Sequence, residues 1–276
     1  MNYFLLFLLV VNPPVSSLLP KQQYEQCFPN HNPLYSYEAF IKAAASFPLF
    51  AGEGSPEQRK RELAAFFGNI AHETTNGGPG SAGGEFAWGL YYTEELGCAD
   101  GHCKIYNTGG TSPYRPVAGK SYYGRGPLQL SYAYNYGLAG AELGLPLLQQ
   151  PELVSHDGVI AFRAAIWFWM RAQSPKPSCH DVMCGRWKPD ARDTQLGRRP
   201  GFGMTINIIN GGEECRSKDP AMKVNRQDRI GYYRHFATIL QVPVEKDCDC
   251  TATGTYARRF NTATEREYSN RTRIKN

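Results

Sequence analysis

The sequence predicts a mainly α, disulfide-stapled domain, on three observations. Apolar residues recur at helical spacing in five segments, most of them behind a capping residue. Eight cysteines, an even set, all follow an apolar N-terminal run, as in a secreted chain that oxidises its thiols. A length of 276 residues is enough for one main domain with a sizeable core.

The first helix is expected over Ser36 to Phe47, where SYEAFIKAAASF puts Phe40, Ala43, Ala44 and Phe47 on one stripe behind Ser36 as N-cap. The second has the clearest start. Ser55-Pro56-Glu57-Gln58 offers a cap, a proline at the first helical position and a capping-box partner, and the helix should run from Pro56 to about Thr74. Leu63, Phe66, Phe67 and Ile70 form its apolar stripe, and the glycine-rich stretch 76–84 stops it. Residues 85–130 lack sustained periodicity and are rich in Gly, Tyr and Thr, which predicts a long loop region suited to functional groups. Ser131 caps a helix predicted through Leu143. Ser155 or Asp157 opens another through Met170, broken by Ser174-Pro175-Lys176-Pro177. The last opens at Asp219-Pro220 and carries Ile230, Tyr233, Ala237 and Leu240 on one face.

Residues 1–17 read as a signal peptide, because the unbroken apolar run Phe4 to Val11 is followed by the small residues Ser16 and Ser17; a buried N-terminal strand is the alternative. Its eight residues fall far short of the ~20 that span a bilayer, so no membrane anchor is expected. Residues 18–250 form the domain. Residues 251–276, rich in Thr, Arg and Asn, read as a basic disordered tail in which Asn270-Arg271-Thr272 matches the glycosylation sequence.

Charge excludes one class of partner. The net charge is +5, but the tail holds six Arg/Lys against two Asp/Glu and supplies +4 of it, leaving no basic face for a nucleic acid. Metal chemistry is not expected either. The close pairs Cys98/Cys103, Cys179/Cys184 and Cys248/Cys250 do not form the CxxC repeat of a zinc ribbon. His72-Glu73 begins like the HExxH zinc motif, but Asn76 stands where its second histidine belongs.

Two carboxylates are the candidate chemistry. Glu73 follows Ile70 by three residues and Phe66 by seven, so it lies beside the apolar stripe near the C-terminal end of its helix. Apolar surroundings and the negative end of the helix dipole both favour a protonated carboxyl, the form a general acid needs. The alternative is a glutamate on the helix rim paired with a cation. Glu94 and Glu95 stand in loop, and either can face a cleft. An acid in one environment and a base in another is the requirement of glycoside hydrolysis. The segment 121–136, dense in tyrosines, amides and hydroxyls, suits a sugar, whose ring faces stack on aromatics while its polar groups bond to Asn, Gln and Ser. A core of tyrosines with satisfied hydroxyls is the other reading.

HETT (72–75), FAWG (86–89), YYGRGPLQLSYAYNYG (122–137), WFWM (167–170), KPSCHDV (176–182), NIINGG (207–212) and DRIGYY (228–233) together resemble the family 19 chitinases, over about Cys27 to Cys250. The resemblance implies a lysozyme-like, two-lobed α fold around a long substrate cleft and an inverting endochitinase. It makes Glu73 the general acid, Glu95 the base that activates water, and Ser131 the residue that helps hold that water. The carboxyls are then expected within or above the ~6.5–9.5 Å separation of inverting enzymes. By the same resemblance His72, Trp88, Tyr122, Gln129, Tyr134, Asn135, Lys176 and Asn210 bind sugar, while Glu214 and Arg229 form an ionic network supporting the acid. It further implies chitin and its oligosaccharides as partners, no cofactor or metal, an extracellular location and a monomer. Two family cysteines are replaced here, by Tyr91 and at about Pro116. Cys98 can then pair with Cys27 or Cys103, the bridge Cys215–Cys250 is implied, and Cys179, Cys184 and Cys248 are left open. A catalytically inactive chitin-binding protein and a peptidoglycan-cleaving relative are the alternatives.

Overall fold

The computed structural model describes residues 14–99, 103–107 and 112–256. Its order is α1 (Lys21–Cys27), α2 (Tyr37–Ala44), α3 (Pro56–Thr74), α4 (Ala133–Leu143), α5 (Leu153–His156), α6 (Gly158–Met170), α7 (Cys179–Met183), α8 (Ala191–Gln195), α9 (Phe202–Glu214) and α10 (Pro220–Ile239), with short 3-10 turns. Among the described residues β pairing is confined to isolated bridges, two of which join Glu94 and Leu130 to Arg125.

Caps account for most helix starts. The side chains of Ser36, Ser55, Asp157 and Asp219 each accept a backbone N–H of the first turn of α2, α3, α6 and α10, offsetting donors a helix start leaves orphaned. The other half of the capping box expected at α3 is absent: Gln58 instead sends its amide across to the carbonyl of Cys184. The helix expected behind Ser131 starts at Ala133. Tyr132 precedes it at φ 72, and Ser131 Oγ donates back to Gln129 O, so it caps nothing.

Two apolar cores share one helix. The larger gathers Tyr24 and Phe28 from the N-terminal region, Phe40 of α2, Phe66 and Phe67 of α3, and Tyr232, Tyr233 and Phe236 of α10. The smaller gathers Tyr122, Leu130, Tyr136, Leu147 and Val154. Helix α6 sends Phe162, Ile166 and Trp169 to the first and Ala164 and Trp167 to the second. Each large side chain buried this fully stabilises the fold by roughly 1.5–3 kcal/mol before entropy is counted. Helices α3 and α10 approach closely at Gly68, where a Cβ would lie 3.0 Å from the backbone of Tyr233. That contact brings the last turns of α3 beside α10.

Disulfides join Cys98 to Cys103 and Cys215 to Cys250. Cys27, Cys179, Cys184 and Cys248 are free thiols. The second bridge ties the end of α9 to the C-terminal segment, and packing continues past it. Arg198 donates to the carbonyls of Gly254 and Thr255 and lies 3.6 Å over the Tyr256 ring. The tail expected to be disordered from residue 251 is therefore packed through Tyr256. Its remainder, with Asn270, lies outside the described residues. So do residues 1–13 of the expected leader, whereas Val15 within it is buried in the larger core.

Candidate active site

Glu73 sits in the last turn of α3, and its surroundings are polar. Arg229 of α10 donates from Nη2 to Glu73 Oε1 at 2.5 Å and to Glu214 Oε1 at 2.8 Å, and from Nε to Glu214 Oε2 at 3.0 Å. Arg229 and Glu214 are almost wholly buried, while the Glu73 side chain keeps 19% of its surface. The rim-and-cation alternative is thus the one that describes Glu73 locally, although the cation is a buried one. Burial alone would push the Glu214 carboxyl up, but the charge and hydrogen bonds of Arg229, with help from His72 and Asn210, hold it below the usual carboxylate range. Burial alone would push the Arg229 guanidinium down, but the charges and hydrogen bonds of Glu73 and Glu214 together push it further up.

Other side chains lock this cluster. Asn210 stands at a break in α9 (φ −136°, ψ 26°) and donates to Glu214 at 3.0 Å. Buried Asn69, one turn before Glu73, accepts from Arg229 at 3.3 Å. His72 Nδ1 lies 2.6 Å from Asp228 Oδ2. Sequence reasoning missed Asn69 and Asp228. The signal for the first was an amide in the otherwise apolar stripe of α3; for the second, only its place beside Arg229.

Glu95 lies in a different setting. Its Oε1 accepts from the Tyr106 hydroxyl at 3.0 Å and its Oε2 from the Gly124 amide at 3.1 Å. A carboxylate oxygen of Glu95 and both sulfurs of the Cys98–Cys103 bridge lie within 4.8 Å of one another. Glu94 is committed elsewhere: Tyr123 donates to it at 3.3 Å and Arg125 Nε lies 3.8 Å away. No sequence signal pointed to Tyr106.

The end of α3 and the loop leading to Glu95 are stitched together. Thr74 O accepts from Tyr91 N at 3.1 Å and Tyr92 N at 2.9 Å, and Thr74 Oγ1 accepts from Leu90 N at 2.9 Å. These bonds satisfy a helix-end carbonyl that would otherwise be orphaned. They hold Tyr92, three residues before Glu95, against the neighbour of Glu73. Trp88 lies in the same stitched loop, partly exposed and 5.4 Å edge-on to Tyr91.

On the far side of Glu95, Tyr106 packs edge-on to Tyr132 at 5.1 Å, and Tyr132 stacks on Tyr134 at 5.5 Å. Ser131, half buried, is fixed by its bond to Gln129 O at 2.8 Å, and Asn135 donates to Ser131 O at 2.9 Å. Gln129, at φ 48, donates to Gly126 O. Lys176 Nζ donates to the carbonyl of Ile208, within α9, at 2.9 Å. Tyr122 is different from the other sugar-contact candidates: it has no exposed surface, and its hydroxyl is spent between Val117 N and Leu148 O. Its ring belongs to the smaller core, so here the core-tyrosine reading is the one that fits.

A helix-borne carboxylate on a buried cation, a second carboxylate on a stitched loop and a rim of tyrosines and amides fit the glycoside hydrolase class. The chain belongs to glycoside hydrolase family 19, whose chitinase class I model matches residues 10–250. It is 46% identical over 243 residues to an acidic endochitinase of Populus trichocarpa, covering 86% of this chain and 69% of that one. It is also 46% identical over 245 residues to the inactive chitinase-like protein 1 of Hevea brasiliensis, covering 86% and 75%. Its fold matches the crystal structure of chitinase C from Streptomyces griseus with a TM-score of 0.67 at 34% identity, over 84% of this chain and 80% of that one.

Proposed function

We propose that this chain is an active, secreted, monomeric endochitinase that hydrolyses internal β-1,4 bonds of N-acetylglucosamine polymers with inversion. Glu73 protonates the glycosidic oxygen, and Glu95 takes a proton from water attacking the opposite face of C1, with Ser131 helping to hold that water. The observation that carries this reading is the stitching of the Glu95 loop to the helix end that bears Glu73. It ties the loop that leads to Glu95 to the helix end that bears Glu73, and an acid and a base on opposite faces of one bond need carboxyls on separate elements. Arg229 holds Glu73 by Oε1; among the described residues Oε2 accepts no hydrogen bond and is the oxygen suited to carry the proton.

The test is hydrolysis of soluble chitin oligomers by Glu95→Gln, with binding measured in parallel. Loss of about 10²-fold or more in kcat with binding retained is expected; unchanged kcat removes Glu95 from the mechanism. The name of the Hevea relative motivates an inactive binder as the second reading. Oligomer binding by the wild-type chain without cleavage at any pH would establish it. Colloidal chitin is expected to be cut in preference to bacterial cell walls.

The Cys98–Cys103 bridge, beside the Glu95 carboxylate, acts as a positioning element for the base. Cys98→Ser is expected to lower kcat severalfold with KM nearly unchanged. A change in KM alone would mean that the bridge shapes the cleft and not the base.

A further inference from the structure

A second cluster of chemically unlike groups lies where the loop before α3 meets the end of α7. A carboxylate oxygen of Glu53, a ring nitrogen of His180 and the sulfur of Cys184 lie within 4.8 Å of one another. Glu53 comes from the loop, His180 from α7, and Cys184 is the residue that closes α7.

The histidine is held from behind. His180 is 2% exposed, with Nδ1 2.7 Å from Glu62 Oε1 and Nε2 2.8 Å from Glu53 Oε2. Glu62, 1% exposed on α3, is itself fixed: Trp169 Nε1 donates to its Oε1 at 3.0 Å and Ala51 N to its Oε2 at 3.1 Å. A buried carboxylate on Nδ1 sets the ring's plane and leaves Nε2 directed toward Glu53. Imidazoles that ligate metals are oriented by this arrangement. The Cys184 sulfur is in no disulfide, and its hydrogen bond is a long one, 3.8 Å to Asp181 O.

We propose that Glu53, His180 and Cys184 form a structural site for a zinc-like divalent cation, with Glu62 orienting the histidine. A mixed nitrogen, sulfur and oxygen set selects zinc over magnesium or calcium, which take oxygen alone. Water completes four-fold coordination from the Glu53 side, where 24% of that side chain is exposed. Bonds of about 2.0–2.3 Å place tetrahedral ligands roughly 3.3–3.8 Å apart, so shifts of about 1 Å close the site. Arg186 now pairs with Glu53 at 2.5 Å; it is 48% exposed and already lies 3.7 Å from Asp181, a partner it can keep when a cation takes Glu53. The bound ion would clamp the loop that launches α3 to α7. Glu62 precedes Glu73 by 11 residues of one helix, about 16 Å along its axis, so the ion serves stability and not the cleft chemistry.

A protonated His180 shared by two glutamates satisfies the same nitrogens without metal. The two arrangements differ in needing Cys184. The chelator-treated full chain is titrated with cobalt, followed by thiolate-to-cobalt absorption, and then with zinc, followed by Tm. One cobalt per chain with that absorption, its displacement by zinc and a rise in Tm are expected. Cys184→Ser should lose the thiolate-to-cobalt absorption, whose source is the ligating sulfur, while Cys248→Ser, at another free thiol, keeps it. Circular dichroism of the metal-free variants checks that they fold. Absence of saturable cobalt absorption in the wild-type chain, or its persistence in Cys184→Ser, overturns the proposal.

Discussion

Glu73→Gln is expected to lower the hydrolysis of chitin oligomers by about 10²–10⁴-fold, the usual worth of a positioned general acid. The substitution is close to isosteric, and the amide oxygen can still accept from Arg229, so the ionic cluster between α3, α9 and α10 should survive. What is lost is the proton for the departing glycosidic oxygen. The effect should fall on kcat, with oligomer binding nearly unchanged, and thermal unfolding should shift little. Full activity in Glu73→Gln would mean that the acid is another group.

Arg229→Ala is expected to be the most destabilising single change at the site, by about 3–5 kcal/mol, because it strands a buried carboxylate. Glu214 has no exposed surface, and among the described residues the one other hydrogen bond to its carboxylate comes from the Asn210 amide at 3.0 Å. The cost should depend on pH. With Arg229 present, the Glu214 carboxyl is held below the usual range, so its contribution is complete above the unfolded value near ~4.3 and is lost as pH falls through the lower folded value. Without Arg229, burial acts almost alone and favours the neutral acid. Denaturant unfolding should therefore show the largest deficit of the variant at neutral pH, narrowing in acid. A deficit below about 1 kcal/mol, or one independent of pH, would show that the pair is not the keystone of the cluster.

The parts of this molecule that are local in sequence were legible in it. The caps at Ser36, Ser55, Asp157 and Asp219 act over two or three residues, and the helices behind them follow from those short bonds and a 3.6-residue stripe. Helix α9 gave no such signal. It opens on Gly201 at φ 127 with no side-chain cap and breaks at Asn210, so tertiary packing defines it. The start of α4 was misplaced because Ser131 bonds backward to Gln129.

The site divides in the same way. Glu73 could be placed by helix geometry, but its contact with Arg229 spans 156 residues, and so does that of His72 with Asp228. Motif resemblance supplied Arg229 and Glu214; it assigned no role to Asn69, Tyr106 or Asp228, although DRIGYY opens on Asp228. It also named Tyr122, whose ring the second core absorbs. The two sequential motifs weighed for metal, a CxxC repeat and HExxH, could not register a pair such as Glu53 and His180, which meet across 127 residues.

The most direct test of the two-carboxylate account is the anomeric form of the first product, followed by NMR as a chitin oligomer is cut. Water activated by Glu95 on the face opposite the departing sugar must give the α anomer first, with β appearing later by mutarotation. An initial β anomer would contradict inversion and with it the role assigned to Glu95.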